Sequence, residues 1–339
     1  MLTPVMLTML RHLSHETFKS GEEIAQRQGC SRASVHMAVK CAVDSGLVVH
    51  AVRGRGYRLA TPMSWLDQDA LAGQLQPMGI ALKFFDTLDS TNSYLLSIAQ
   101  TGAAHRTLVA TEAQTEGRGR RGRRWLSGLA GGLTFSFLWR SGKTIAELSG
   151  LSLAVGVLLA RALREMGLDA ASVKWPNDIV LNLRGEQRGG QGAGQYGTPK
   201  LAGVLIELSG DMLSPATAVI GVGLNISGAD ALGAEIEQQV TDMAEHVGHV
   251  DRNAVLVKLV QTLDAGLHQF EQEGFAAFQP EWEACHAFQG QEVDIINALG
   301  ERIRGCALGV DATGALRLGT ASGERRFHSG EVSLRGVTP

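Results

Sequence analysis

The chain has 339 residues, 44% of them hydrophobic, and a formal net charge of −3. That is enough apolar material for two or three domains with real cores, and too little positive charge for a uniformly basic nucleic-acid coat. No apolar run approaches the roughly 20 residues that a membrane span needs. The apolar start MLTPVMLTMLRHL lacks the basic n-region and small-residue cleavage site of a signal peptide, so the expectation is a cytoplasmic protein without membrane contact. Cys30, Cys41, Cys285 and Cys306 lack CxxC spacing, so buried thiols are expected rather than a disulfide frame or a zinc site.

Residues 1–62 read as a module of their own. Gly21 to Gln28 suits a short helix, Gly29 and Cys30 a turn, and Ser31 the cap of a second helix, with a hairpin over Leu47 to Leu59. Val35, Val39, Ala42 and Val43 fall at i, i+4, i+7 and i+8, so the second helix should bury that stripe and leave Arg32, Ser34, His36 and Lys40 outside. The alternation of LVVHAVRGRGYRL breaks at Gly54-Arg55-Gly56, which predicts a two-stranded wing whose basic tip carries Arg53 and Arg55. The module is locally basic in an acidic chain. It reads as a winged helix-turn-helix that binds DNA, with phosphates at the wing and bases at the second helix. A winged helix used for protein contacts has the same pattern. Thr61-Pro62 opens a linker.

Residues 63–285 contain strands that deliver polar groups. IALKFFD is a strand expected to end at Asp86, ahead of Ser90-Thr91-Asn92 and an amphipathic helix with Tyr94, Leu95 and Ile98. Such a triplet caps a helix, and a helix start equally offers its free N–H groups to a polar small molecule. The strand Thr107 to Gln114 sets the Gln114 amide at the hinge of EGRGRRGRRW, residues 116–125. Glycines 117, 119 and 122 let this backbone approach a ligand, and Arg118, Arg120, Arg121, Arg123 and Arg124 concentrate charge. A phosphate suits the loop; a nucleic-acid patch or a solvated basic loop has the same composition.

GGLTFSFLW follows as a strand, and Glu147 to Met166 as a core helix. KWPND, residues 174–178, reads as a strand interrupted by proline, where Asn177 beside Asp178 fits a magnesium or ribose contact or plain turn chemistry. Gly185 to Pro199 is a glycine-rich surface insertion. Lys200 then opens the strand LAGVLIEL, which holds its ammonium at a sheet end, and AVIGVGLNI offers glycines 221 and 223 for close approach before ending on Asn225. An amphipathic helix around Leu256 to Phe270 and a shorter one ending near Cys285 close the domain. GRGRRG and GAGQYG both satisfy GxGxxG, but neither opens a hydrophobic helix, so no dinucleotide fold is expected.

Residues 286–339 break into EVDII, ERIRGCALGV, ALRLGT, ERRFHS and EVSLR, five short strands that suit a small barrel. Glu331 and Arg335 lie in a tail able to close over a site.

Taken in order, Ser90-Thr91-Asn92, Gln114 before GRGRRGRRW, KWPND, KLAGVLIE at 200–207, GVGLN at 221–225 and GEVSLR at 330–335 resemble biotin protein ligases. With the winged helix in front, the chain resembles the bifunctional members that also repress biotin-synthesis genes. The resemblance implies an α+β multidomain fold: a winged helix-turn-helix over 1–62, a catalytic domain of mixed sheet and flanking helices over 63–285, and an SH3-like barrel over 286–339. It implies that biotin and MgATP give biotinyl-5′-adenylate, which acylates one lysine of a biotin carboxyl carrier domain. Further implied partners are operator DNA and a second copy of the chain in a ligand-promoted homodimer.

The resemblance also assigns roles. Ser90, Thr91, Asn92 and Gln114 would meet the ureido end of biotin. Arg118, Gly119 and Arg120 would fold over biotin and the nucleotide phosphate, with Arg121 on the nucleotide side. Lys200 would hold the carboxylate oxygen, Asn177 and Asp178 would lie near ribose, phosphate or magnesium, and Asn225 would read the adenine edge. The insertion before Lys200 departs from the family, but lengthening a loop costs little entropy, so the strand pairing around it is expected to survive. Two rivals share parts of this pattern. A lipoate ligase performs similar acyl-adenylate chemistry and lacks use for the neutral set at 90–92 and 114. A biotin-sensing repressor without catalysis has no need of Lys200, KWPND and the complete arginine loop.

Overall fold

The computed structural model describes residues 4–44, 47–183, 198–211, 213–229, 238–296, 300–328 and 333–336. The N-terminal module comprises α1 (Pro4–Leu10), α2 (Gly21–Gln28), α3 (Arg32–Asp44) and a hairpin of β1 (Val49–Val52) and β2 (Gly56–Leu59). Ser20 caps α2 by accepting from the Glu23 N–H, and Gly29 ends it in the left-handed region. Helix α3 buries Val35, Ala38, Val39 and Ala42 against Met9, Leu10, Ile24 and Leu59. Val43, expected in that stripe, is 47% exposed: the i, i+3, i+4, i+7 row is completed by Ala38, and i+8 has turned past its edge. Helix α1 has no acidic first turn, so its residues read only as an apolar start. In the wing, a Cβ on Gly56 (φ 101°) would run into the Lys19 carbonyl.

The central elements are α4 (Gln68–Leu75), β3 (Ala81–Leu88), α5 (Thr91–Gln100), β4 (Thr107–Gln114), β5 (Gly132–Arg140), α6 (Leu151–Glu165), β6 (Ala171–Lys174), β7 (Asp178–Leu181), β8 (Lys200–Ser209), β9 (Thr217–Asn225), α7 (Ala244–Val247), α8 (Arg252–Glu273) and α9 (Gln279–Cys285). The sheet runs β3-β4-β5-β9-β8-β7-β6, with β3 and β4 parallel and the remaining neighbours antiparallel. Strand alternation gives it two different faces. Leu133, Phe135 and Phe137 of β5 join the large core with Leu158 of α6 and Leu263 of α8. On the other face Leu138 and Val219 pack beneath Leu95 of α5 at one end, leaving the opposite end for the site.

Several expected boundaries move. β3 continues through Asp86 to Leu88, because Thr87 and Leu88 go on pairing with Ala113 and Gln114 of β4, while Asp86 Oδ1 accepts from Arg11 Nη2 at 3.1 Å. α6 starts at Leu151 rather than Glu147, since Gly150 before it sits at φ 82°. KWPND is not one interrupted strand but the tip of a hairpin, with Lys174 opposite Asp178 and a cis Trp175–Pro176 bond in the turn. Most of the glycine-rich insertion, residues 185–197, lies outside the described residues. The pairing on either side of it survives, with Asp178 opposite Gly203.

The last five strands, β10 (Glu292–Ile296), β11 (Arg302–Val310), β12 (Leu316–Thr320), β13 (Gly323–Phe327) and β14 (Ser333–Gly336), form an antiparallel sheet in the order β13-β12-β11-β10-β14. The expected barrel is not closed among the described residues, because the outer strands β13 and β14 pair on one side each. The apolar face is covered instead by the central domain: Val293, Ala307, Leu316 and Leu334 share one core with Trp175, Trp282 and Phe288, and Trp175 Nε1 donates to the Gly314 carbonyl at 3.1 Å. Of the tail residues, Glu331 is outside the described residues and Arg335 is described only as part of β14. All four cysteines are free, but only Cys285 is fully buried; the other three are half-buried. No described helix is long and apolar enough to cross a membrane.

The N-terminal module is tied to the central sheet through charge. Arg11 donates to the Leu66 carbonyl at 3.0 Å and to Glu112 at 3.3 Å. Glu112 also pairs at 2.6 Å with Arg252, both side chains being fully buried. Such a pair is costly unless its other donors are bonded; Arg252 donates to Ser64 and Gly132 carbonyls at 2.8 and 2.7 Å, while its buried Nε has no partner among the described residues.

Candidate active site

The site is a cavity of about 470 Å³ on the α5 face of the central sheet. Its floor is flat because three glycines line it. Register puts Gly221 between Leu205 and Ser136, and Gly223 between Gly203 and Thr134. A Cβ on Gly221 would occupy the place of Asn92 Oδ1, and one on Gly223 would occupy the place of the Trp125 indole. Glycine here is a requirement of close approach.

One wall is neutral and polar. Ser90 is the N-cap of α5, its Oγ accepting from the Ser93 N–H, so the capping reading holds for that residue. Thr91 and Asn92 begin the helix and turn inward, both buried. The Thr91 N–H and Oγ1 donate to Gln114 Oε1 at 2.8 and 3.2 Å. Ser136 Oγ lies 2.8 Å from Thr91 Oγ1 and 2.5 Å from Asn92 Oδ1.

The opposite wall is cationic. Lys200 opens β8, pairs with Asp178 at 2.7 Å and is only 18% exposed; its Nζ lies 5.6 Å from the centre of the Trp125 ring. Arg120 Nη1 donates to Asn177 Oδ1 at 3.1 Å, and Asn177 Nδ2 donates to the Val204 carbonyl at 2.7 Å. Burial pushes the Arg120 pKa down, Asp178 opposes that shift and Arg121 adds to it. Arg118 pairs with Glu207 at 2.7 Å. The loop holding these arginines is closed on itself: the Gly119 N–H donates to the Arg123 carbonyl at 2.7 Å and the Trp125 N–H to the Gly117 carbonyl at 2.8 Å. Asn225 ends β9 inside the cavity with its Nδ2 committed to the Thr241 and Lys200 carbonyls, at 3.0 and 3.5 Å.

All the residues expected to bind biotin or nucleotide, Ser90, Thr91, Asn92, Gln114, Arg118, Gly119, Arg120, Arg121, Asn177, Asp178, Lys200 and Asn225, line this one cavity. The expected DNA contacts lie elsewhere, on the N-terminal module. Arg32, His36, Lys40, Arg53 and Arg55 are exposed and Ser34 is half-buried, its Oγ 2.9 Å from Ser31 Oγ. The Arg55 guanidinium lies 4.4 Å over the Phe18 ring, and His36 Nδ1 is 3.2 Å from the Tyr57 hydroxyl, linking helix to wing.

Known proteins share this layout. The Biotin/lipoate A/B protein ligase family matches residues 84–225, the Biotin protein ligase C terminal domain residues 288–335, and an HTH domain residues 6–58. The Bifunctional ligase/repressor BirA of Salmonella typhimurium is 36% identical over 334 residues, covering 98% of both chains. The chain belongs to the bifunctional biotin ligase/repressor family. The same-named protein of Escherichia coli is 35% identical over 98% of this chain and 97% of its own. Among solved structures, the biotin protein ligase from Aquifex aeolicus in complex with biotin and ATP superposes with a TM-score of 0.61 at 30% identity, over 76% of this chain and 99% of that one.

Within this family site, three side chains had no role assigned from the sequence: Ser136, Trp125 and Glu207. Trp125 stands at the end of the arginine loop, and its Nε1 is buried without a hydrogen-bond partner among the described residues. Glu207 ends the run KLAGVLIE, and period two counted from Gly203 puts it on the cavity face. That signal was available. Ser136 had none beyond alternation within β5.

Proposed function

We propose that this cavity joins biotin to a lysine of a biotin carboxyl carrier domain in two steps, and that the N-terminal module binds operator DNA of biotin-synthesis genes. The convergence of a neutral polar wall and a cationic wall in one cavity carries the reading. It matches a ligand with an uncharged ureido ring at one end and a carboxylate at the other. In the first step a biotin carboxylate oxygen attacks the α-phosphorus of ATP and pyrophosphate leaves. In the second, the neutral amine of the acceptor lysine attacks the acyl carbon, AMP departs with the bridging oxygen, and the amine loses its proton.

Thr91, Asn92 and Gln114 fix the ring, with Ser90 holding the helix start on which Thr91 and Asn92 stand. Lys200 sits where charge gathers on the acyl oxygen and phosphate, and Arg118, Arg120 and Arg121 cover the phosphate while Gly119 admits the backbone. Asn225, its amide nitrogen already engaged, offers Oδ1 to the adenine amino group. Magnesium would neutralise charge on the ATP phosphates. Among the described residues no three acidic, histidine or cysteine side chains gather around one point, while the Asp178 carboxylate lines the cavity; that fits an ion carried largely by phosphates, with Asp178 as its protein contact and Asn177 beside it.

Three further parts complete the reading. The proposed boundaries are 1–62, 63–285 and 286–339, supported by a helix-turn-helix match that ends at residue 58 and a C-terminal match that begins at 288. A cytoplasmic location is part of this reading, supported by the use of ATP and of a carrier domain that it assigns. A homodimer promoted by ligand requires that the ligand bind the dimer more tightly than the monomer.

Incorporation of labelled biotin into an acceptor domain, dependent on ATP and not displaced by lipoate, is the test of the ligase. Absence of incorporation by the intact chain sinks it, and displacement by lipoate moves the substrate to the rival acid. For DNA, Arg53→Ala combined with Arg55→Ala should make the negative slope of log K against log salt less steep by about 2, one unit for each phosphate no longer neutralised. A salt-independent operator titration of the unaltered chain would return the module to protein contacts.

A further inference from the structure

Glu207 is a carboxylate on the cavity face of β8 that takes two donors on one oxygen. Its Oε2 accepts from Arg118 Nη2 at 2.7 Å and from Asn92 Nδ2 at 2.9 Å. Asn92 also donates to the Leu205 carbonyl at 3.2 Å, so both of its amide hydrogens are used and its Oδ1 faces Ser136. The chain of contacts then runs Arg118, Glu207, Asn92, Ser136, Thr91, Gln114, from the arginine loop to the strand end where that loop begins. Each link is a hydrogen bond between 2.5 and 2.9 Å, the last of them made by the Thr91 backbone N–H.

We infer that Glu207 is a positioning residue: it orients the Asn92 amide for the polar end of biotin and latches the Arg118 arm of the loop over the bound ligand. The inference rests on the biotin reading of this cavity. Three observations favour it over a surface ion pair. First, the amide of Asn92 can present its oxygen to Ser136 only while its nitrogen has acceptors on the β8 side, and Glu207 is the charged one. Second, Gly221 lets the Asn92 amide lie directly on the strand, in a place that a Cβ would fill. Third, Arg118 and Glu207 are 89 residues apart in sequence, so the pair fixes a glycine-rich loop to a rigid strand rather than one turn to the next. The pair is half-exposed, at 42% and 28%, so salt should weaken the latch. Asn92 is buried and is also held by the Leu205 carbonyl and Ser136, so its orientation should respond to salt less than the latch does.

The test uses the full chain, with biotin binding by calorimetry, ATP KM from pyrophosphate release, and loss of preformed biotinyl-5′-adenylate followed at low and high salt. Glu207→Ala is expected to weaken biotin about tenfold while changing the ATP KM less than twofold, the size expected for losing charge-assisted hydrogen bonds in a half-exposed site. Glu207→Gln keeps an oxygen for both donors, so its biotin affinity should stay within about threefold of the unaltered chain. It removes the charge, so it should lose adenylate several-fold faster at low salt, with the difference vanishing at high salt. Unchanged biotin affinity in Glu207→Ala overturns the inference, and so does an equal loss of biotin and ATP that Glu207→Gln fails to rescue. If the alanine variant does not fold, identical adenylate loss by Glu207→Gln and the unaltered chain at every salt concentration overturns it alone. Failure of the unaltered chain to bind biotin removes instead the reading on which it stands.

Discussion

Lys200→Ala should slow biotinyl-adenylate formation by a factor on the order of 10² to 10³, the range seen when one preorganised donor to a developing oxyanion is removed. The structure gives the lysine the preorganisation this requires. It is the first residue of β8, its backbone N–H donates to the Gln239 carbonyl at 2.9 Å, and its ammonium is fixed between Asp178 and the face of Trp125. Removing it has a second cost. Asp178 would face the anionic phosphates without the ammonium that pairs with it, so the substitution adds repulsion as it deletes attraction. Removing that repulsion with Asp178→Asn should therefore recover part of the rate, making the double variant less impaired than the product of the two single effects. Lys200→Arg should stay well below the unaltered rate, because a bulkier, delocalised guanidinium cannot bring a compact point charge to the acyl oxygen and phosphate. Single-turnover pyrophosphate release measures all three. Near-normal release by Lys200→Ala would refute the assigned role, whereas a raised biotin KM at unchanged kcat would make the lysine a binding group without a part in the charge-developing step.

The strand ends that carry the site were readable because the apolar runs are short and end on residues that cannot continue them. Gln114 ends β4, Lys200 begins β8 and Asn225 ends β9, each as the pattern of apolar and turn residues placed it. The capping triplet at 90–92 announced a helix start for the physical reason that exposed N–H groups need oxygen acceptors. Closure was not readable. Five short strands were visible from residue 292 onward, but whether they curl into a barrel or lie against Trp282 and Phe288 depends on contacts that no local period records. KWPND looked like one broken strand for a related reason: two four-residue strands around a Trp-Pro-Asn turn leave too few residues on either side for alternation to show. Arg11 with Asp86, and Arg118 with Glu207, join positions far apart in sequence. Charge pairing of that kind enters only once the topology has brought the strands together.

Arg120→Gly should separate making the adenylate from keeping it. Biotinyl-adenylate is a mixed anhydride, and the cavity must hold it away from water and stray amines until the acceptor lysine arrives. Arg120 contributes by charge and by stiffness. Its guanidinium bonds to Asn177 at 3.1 Å, beside the Asp178 and Lys200 pair, on the side of the cavity proposed for the phosphate. Its backbone lies between Gly119 and an Arg121 held at φ 59°, so a further glycine at position 120 would raise the freedom of the open loop and with it the entropy lost on closing. Loss of one charge-assisted hydrogen bond corresponds to release about 10- to 100-fold faster. Lys200 remains in place, so synthesis should continue, and with no acceptor present the variant should consume ATP and biotin steadily while the unaltered chain stops after about one equivalent. The escaped anhydride then acylates whatever neutral amines it meets, and lysines of an unrelated protein added to the mixture should become biotinylated in proportion to its concentration. Lys200→Ala should label neither acceptor nor bystander. If Arg120→Gly forms adenylate and retains it as the unaltered chain does, Arg120 is not part of the cover, and Arg118 with its Glu207 latch would have to hold the loop by itself.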